Sequence, residues 1–262
     1  MMTLFEAAGL CKHFSGVYAV NDVGFTVEKG STVAVIGPNG AGKTTLINLV
    51  TGVTRPDAGS IQFNGHDITG APLHRLAAKG LSRSFQHPRI FRNMTVLDNV
   101  MVAAQQHHPV GMLSAGLKLR RARAREAAAA EAGRRALRQV NLECDPDLPA
   151  NLLTTGQDKL LELARLLVAE PVMLFLDEPA AGLDDHETAD LTRRIRAINE
   201  SGITIALVEH NMQLVMDLAD SITVIDSGRI IAQGPPADVR ADPAVIAAYL
   251  GSGTELTGAV DV

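Results

Sequence analysis

Within Gly37-Pro38-Asn39-Gly40-Ala41-Gly42-Lys43-Thr44-Thr45, the eight residues from Gly37 to Thr44 fit the spacing G-x-x-x-x-G-K-[ST] without a mismatch. That spacing does phosphate chemistry. Glycines at 37, 40 and 42 let backbone N–H groups turn inward, and a helix N-terminus adds its partial positive charge, so together they cradle phosphate oxygens. Lys43 is expected to reach the β- and γ-phosphates and the Thr44 hydroxyl to ligate Mg²⁺. The competing reading, a glycine-rich turn that only caps a helix, is the weaker one here. Ser31 to Ile36 reads as a short buried strand and Thr44 to Thr51 as a helix closed by Gly52, which is the strand, loop, helix context the pattern requires.

A second group of acids follows at Val172-Met-Leu-Phe-Leu-Asp177-Glu178, an apolar strand whose carboxyl end delivers two carboxylates. Ligands of open parallel sheets bind at the carboxyl ends of strands, so Asp177 is expected beside the same Mg²⁺ as Thr44. Glu178 is then placed to orient or deprotonate an attacking water. An apolar run ending in Asp-Glu says little by itself; the upstream loop gives it meaning. His210 follows the apolar run Ile203 to Val208, whose end faces the same site. Leu153-Thr154-Thr155-Gly156-Gln157 leads into a helix expected from Lys159 to Ala169, which offers another anion-binding end. Cys11 and Cys144 lack metal-ligand spacing and are assigned no role, and His107 and His108 read as an exposed pair without a third ligand.

The elements that must position these groups alternate. Strand-like runs at Val33–Ile36, Val172–Leu176, Ile203–Leu207 and Ile222–Ile225 are interleaved with helical patterns at Thr45–Val50, Glu187–Ile198 and Met212–Leu218. The fold class expected is therefore α/β, with a mostly parallel sheet covered by helices. Short strand candidates at Leu4–Leu10, Tyr18–Val20, Gly24–Val27 and Ser60–Phe63 suggest a small antiparallel β subdomain beside it. From about Met94 to Leu152 the composition turns to alanine, arginine and leucine, and Leu117 to Val140 is almost free of breakers, as in an inserted helical subdomain. Its arginines read as a solvated face with Glu126 and Glu131 as partners. The division expected is 1–93 for the first part of the core with the β subdomain, 94–156 for the helical insert, 157–250 for the rest of the core and 251–262 for a flexible tail.

Composition narrows the function classes. The 262 residues suffice for one or two domains, and a net charge of −5 makes nucleic acid a poor first partner. Apolar runs fall far short of the roughly 20 residues a spanning helix needs. No basic segment followed by an apolar core opens the chain, so no secretory signal is expected.

The order of GPNGAGKTT at 37–45, Gln86, LTTGQ at 153–157, FLDEP at 175–179, AGLD at 181–184 and EHN at 209–211 resembles the ATP-binding subunits of ABC transporters, over nearly the whole chain. The resemblance implies a P-loop NTPase core and an active ATPase using ATP and Mg²⁺. In that family the phosphate loop of one subunit and the signature loop of its partner sandwich ATP, so a second ATPase subunit, identical or related, is implied. Carried over, Gln86 is the glutamine that touches Mg²⁺ and senses the membrane partner, and Leu153, Thr154, Thr155, Gly156 and Gln157 form the signature loop. Asp184 belongs to the inter-subunit loop and His210 is the switch histidine near the γ-phosphate. Phe14 lies where an aromatic ring stacks on adenine, with Tyr18 as the alternative. The family's usual signature begins Leu-Ser-Gly-Gly-Gln. Thr154 keeps the hydroxyl, whereas Thr155 replaces a glycine and would restrict the backbone if positive φ were required.

Gly80 to Val100 and the ending Ala248-Tyr-Leu-Gly251 look like the LivG-type branch, the branched-chain amino acid importers. That likeness implies two transmembrane permeases, a periplasmic binding protein acting indirectly, and a peripheral position on the cytoplasmic face of the inner membrane. An importer of amides, urea or aromatic acids, and the lipopolysaccharide-export ATPase, share the layout. A soluble ABC ATPase acting on DNA or ribosomes would normally carry tandem cassettes, a long coiled coil or a basic face, and an ATP sensor without turnover would not need Glu178.

Overall fold

Strands that run apolar without alternation are buried on both faces, and three such strands organise this molecule. The computed structural model describes residues 2–84, 90–107 and 120–251. Of the expected tail, all beyond residue 251 lies outside them. In chain order the strands are β1 Thr3–Phe14, β2 Val17–Glu28, β3 Thr32–Ile36, β4 Ala58–Phe63, β5 His66–Asp67, β6 Leu81–Arg83, β7 Met173–Asp177, β8 Thr204–Val208, β9 Ser221–Asp226 and β10 Arg229–Gly234. The six-stranded sheet has the order β10-β9-β3-β8-β7-β6, parallel except for β10, which pairs antiparallel with β9. Every residue of β3, β7 and β8 is buried.

Side-chain alternation along those strands feeds two cores. Val33, Val35, Met173, Phe175, Ala206 and Val208 pack with Leu46, Ile47 and Val50 of helix α1 (Lys43–Val50) and with Phe5 and Phe25 of the smaller sheet. Phe5 meets Phe175 edge-on at 5.3 Å between centroids, an arrangement that suits the two ring quadrupoles. Ala34, Ile36, Leu174, Leu176, Ile205 and Leu207 face the other core.

The smaller sheet is antiparallel, with the order β2-β1-β4-β5. Where the sequence suggests three short strands, two strands of 12 residues form instead. Register shifts between Ala7 and Leu10 and again through Lys12 break the period-2 pattern, so continuous strands look interrupted in sequence. Strand β10 was not expected either. It is a half-exposed edge joined to β9 by Ser227 and Gly228, both at positive φ, a tight hairpin turn.

The remaining helices are α2 Leu73–Ala77, α3 Val96–His107, α4 Arg120–Gln139, α5 Thr155–Leu167, α6 Asp185–Glu200, α7 Met212–Leu218, α8 Pro236–Ala241 and α9 Pro243–Gly251. Val96, Val100, Leu137, Val140 and Leu161 share one core, so α3, α4 and α5 pack against one another. Among the described residues no helix is long and apolar enough to cross a membrane.

Candidate functional site

Strands β3, β8 and β7 are parallel neighbours, so their carboxyl ends release three loops on one edge of the sheet. Gly37 follows β3, Glu178 follows β7 and Glu209 with His210 follow β8. The loops are stitched to one another. The Glu178 N–H donates to the Val208 carbonyl at 2.9 Å and the Glu209 N–H to the Val35 carbonyl at 3.4 Å.

Two glycines of the phosphate loop are demanded by close packing. A Cβ at Gly37 would lie 2.0 Å from the Ile225 carbonyl oxygen, and one at Gly42 would lie 2.2 Å from that of Ala19. Both also take positive φ, 155° and 103°. Gly42 caps α1, whose first residue Lys43 is buried and donates to the Gly37 and Pro38 carbonyls at 2.7 and 2.9 Å. Pro38, Asn39, Gly40 and Ala41 complete the turn, and Thr44 and Thr45 open the helix beside Lys43. Burial lowers the Lys43 pKa from its ordinary value, and the nearby charge of Glu178 pulls it back up. Lysine and glutamate thus share one field across the loop.

Glu178 takes φ 46°, a left-handed conformation that costs a non-glycine residue energy and is found where surroundings over-determine it. Asp177 just before it is buried. Arg83, at the end of β6, donates from Nη2 to Asp177 Oδ2 at 2.9 Å and from Nη1 to Asn48 Oδ1 and Thr51 Oγ1 at 2.7 and 2.8 Å. The Asp177 N–H in turn donates to Ser84 Oγ at 2.9 Å. Burial, the largest influence, raises the Asp177 pKa; the Arg83 hydrogen bond and charge oppose it, and Glu178 adds to the rise. Sequence reading missed Arg83, because an arginine among serines looks like a surface residue.

The segment Leu153–Gln157 departs from expectation. Rather than a loop ahead of a helix at Lys159, it is the start of the helix itself, which begins at Thr155. The cause is a capping box: Thr154 Oγ1 accepts from the Gln157 N–H at 3.3 Å, and Gln157 Oε1 accepts from the Thr154 N–H at 3.0 Å. Thr155 does not take positive φ, so its exchange for the usual glycine strains nothing. Gly156 lies against the Glu187 side chain, 2.8 Å from where a Cβ would sit, and Glu187 itself caps Asp184 at the start of α6. Arg92 clamps the same turn through Asp158, with Nη1 to Oδ1 at 2.9 Å and Nη2 to Oδ2 at 2.6 Å. Replacing Thr154 with Ala is expected to remove the cap and about 1 kcal/mol of stability, measurable as a lower urea midpoint at unchanged slope.

His210 stands at the end of β8 with its side chain 61% exposed, directly before Asn211, which caps α7. Phe14 and Tyr18 flank the tip of the β1–β2 hairpin and are 52% and 56% exposed. Val17 pairs with Phe14 and His13 with Tyr18, so the two rings project from opposite faces of the hairpin. Both stay available for stacking. Strand β2, which carries Tyr18, passes the phosphate loop at Ala19, whose carbonyl packs on Gly42. Gln86 lies outside the described residues, as does His108. Tyr249 of α9, also missed in sequence, is buried beside the Gly37 backbone N–H; burial pushes its phenol up to about 12 while that N–H pulls the other way.

The profile of the ABC transporter family matches residues 20–181, and that of the branched-chain amino acid ATP-binding cassette transporters matches residues 229–255. The chain is 42% identical to the high-affinity branched-chain amino acid transport ATP-binding protein BraF of Pseudomonas aeruginosa, covering 95% of this chain and 98% of that one. It is 40% identical to LivG of Escherichia coli K12 over the same shares. Among solved structures, the ADP conformation of MJ1267, an ATP-binding cassette of an ABC transporter, superposes with a TM-score of 0.82 at 30% identity, covering 96% of this chain and 100% of that one.

Proposed function

The chain belongs to the ABC transporter family as an ATP-binding and ATP-hydrolysing subunit, and from that premise we propose that it powers uptake of branched-chain amino acids. The observation that carries the cargo class is full-length likeness to two branched-chain amino acid subunits, extending through the final helices, where Tyr249 meets the phosphate loop. Cargo itself would be held by other subunits. The chain would sit on the cytoplasmic face of the membrane, paired with a second ATPase subunit, against two permeases fed by a binding protein.

The roles of the site residues follow from the loop edge. The Gly37–Thr45 turn would hold the triphosphate, with Lys43 transferring its hydrogen bonds from the Gly37 and Pro38 carbonyls to phosphate oxygens. Thr44 and Asp177 offer hard oxygen donors at adjoining loop ends, which suits Mg²⁺, and Gln86 would join them. When bound, the ion would neutralise charge on the phosphate oxygens. Glu178 would orient and deprotonate water, and His210 would face the γ-phosphate. Asp184 and the Thr154–Gln157 turn would contact the companion subunit, and Phe14 or Tyr18 the adenine.

The test is reconstitution with the neighbouring permeases and binding protein in vesicles: leucine, isoleucine or valine should stimulate ATP hydrolysis and accumulate inside. Stimulation by urea or an amide instead would sink the cargo reading. Lys43→Ala should weaken ATP binding about 10- to 150-fold, the range for hydrogen bonds to a charged group of ~1.5–3 kcal/mol. Equilibrium binding of a fluorescent ATP analogue checks this.

A further inference from the structure

Glu209 is a buried acid, with a relative exposure of 0%. Burying a carboxyl group is costly unless its oxygens are satisfied, and here they are satisfied by main chain. Oε1 accepts from the Ala180 N–H at 2.8 Å; Oε2 accepts from the His210 N–H at 2.9 Å and from the Asn211 N–H at 3.1 Å. One side chain therefore ties the loop after Glu178 to the turn that carries His210. His210 Nδ1 also lies 3.9 Å from Oε2.

The first of these loops continues to Asp184, which is capped through Glu187, and Glu187 touches Gly156 of the signature turn. A chain of contacts thus runs from the surface assigned to the companion subunit, through residues 180–184, to Glu209 and on to the histidine. We propose that Glu209 is a positioning residue for ATP hydrolysis: it sets the His210 turn according to the position of the 180–184 loop, so that seating of the second subunit places the histidine. The proposal rests on the reading of His210 and Asp184 given above. An alanine, lacking both acceptors, would leave N–H groups unpaired in a dry site; glutamine keeps the shape and loses one acceptor, its NH₂ facing an N–H.

The experiment uses the assembled transporter with Glu209→Gln, His210→Ala and the double variant, reading ATP affinity, KM and kcat. Glu209→Gln should lower kcat about 10- to 100-fold with ATP affinity and KM held within about twofold, as expected for loss of one charge-assisted hydrogen bond made to the catalytic turn. In the His210→Ala background it should cost almost nothing more, because both changes disable one device. Losses that multiply, a wild-type kcat in Glu209→Gln, or an equal loss in ATP affinity would each overturn the proposal. Wild-type turnover in His210→Ala would overturn the reading of the histidine, and the proposal with it. If Glu209→Gln does not fold, hydrogen exchange on the unmodified transporter decides: peptides spanning 178–184 and 209–214 should change protection together on ATP addition, and independent responses would refute the tie.

Discussion

Glu178→Gln is expected to lower ATP turnover by about 10² to 10⁴ while ATP binding persists, the range for removal of a positioned general base. Glutamine fits the same volume and accepts hydrogen bonds, but it takes up no proton. The barrier change would be about 3–5 kcal/mol. The structure gives reasons to place the base here. Glu178 leaves the end of β7 with φ 46°, fixed by its N–H to the Val208 carbonyl and by the Ala181 N–H donating to its own carbonyl at 3.1 Å. Such a conformation is costly for a glutamate, and it aims the residue where its charge is felt by Lys43. A surface acid would have no need of either constraint. Phosphate release by the transporter assembled with the variant, alongside equilibrium ATP binding, checks the split. Turnover within threefold of wild type would remove Glu178 from the chemistry.

The phosphate loop and the Asp177-Glu178 pair were legible because their demands are local. Gly37 and Gly42 are fixed by carbonyls pressed against them, and a five-residue apolar strand announces its own end. The start of α5 is also written in the sequence, since Thr154 and Gln157 stand at capping-box spacing. Other features depend on partners remote along the chain. Glu209 gains its meaning from Ala180, 29 positions earlier, and no periodicity encodes that contact. Strand β10 has a mixed burial pattern on a sheet edge, where neither alternation nor a solid apolar run is imposed. Strand β6 is three residues long, too short for a pattern, and it carries Arg83.

Arg83→Met is expected to destabilise the fold by about 3–5 kcal/mol, the usual result of removing one partner of a buried ion pair. Methionine retains the apolar stem but leaves Asp177 Oδ2, Asn48 Oδ1 and Thr51 Oγ1 without the guanidinium that meets all three. For a chain of this length the melting temperature should fall by roughly 6–20 °C. Both side chains of the pair are nearly inaccessible, so water cannot replace the lost bonds. Adding Asp177→Asn removes the stranded charge and should restore part of the loss, whereas an additive double variant would deny the coupling. The dependence on pH has a definite sign. Burial already raises the Asp177 pKa above 3.8 in the folded chain, and without Arg83 it rises further. A group raised in this way contributes stability that is full below its unfolded pKa and is lost as pH rises through the folded one. The deficit of Arg83→Met relative to wild type should therefore narrow as pH falls toward about 4 and widen toward neutrality. A deficit that is constant across that window in paired melting curves would mean that the arginine acts through Asn48 and Thr51, and that Asp177 stays ionised without it.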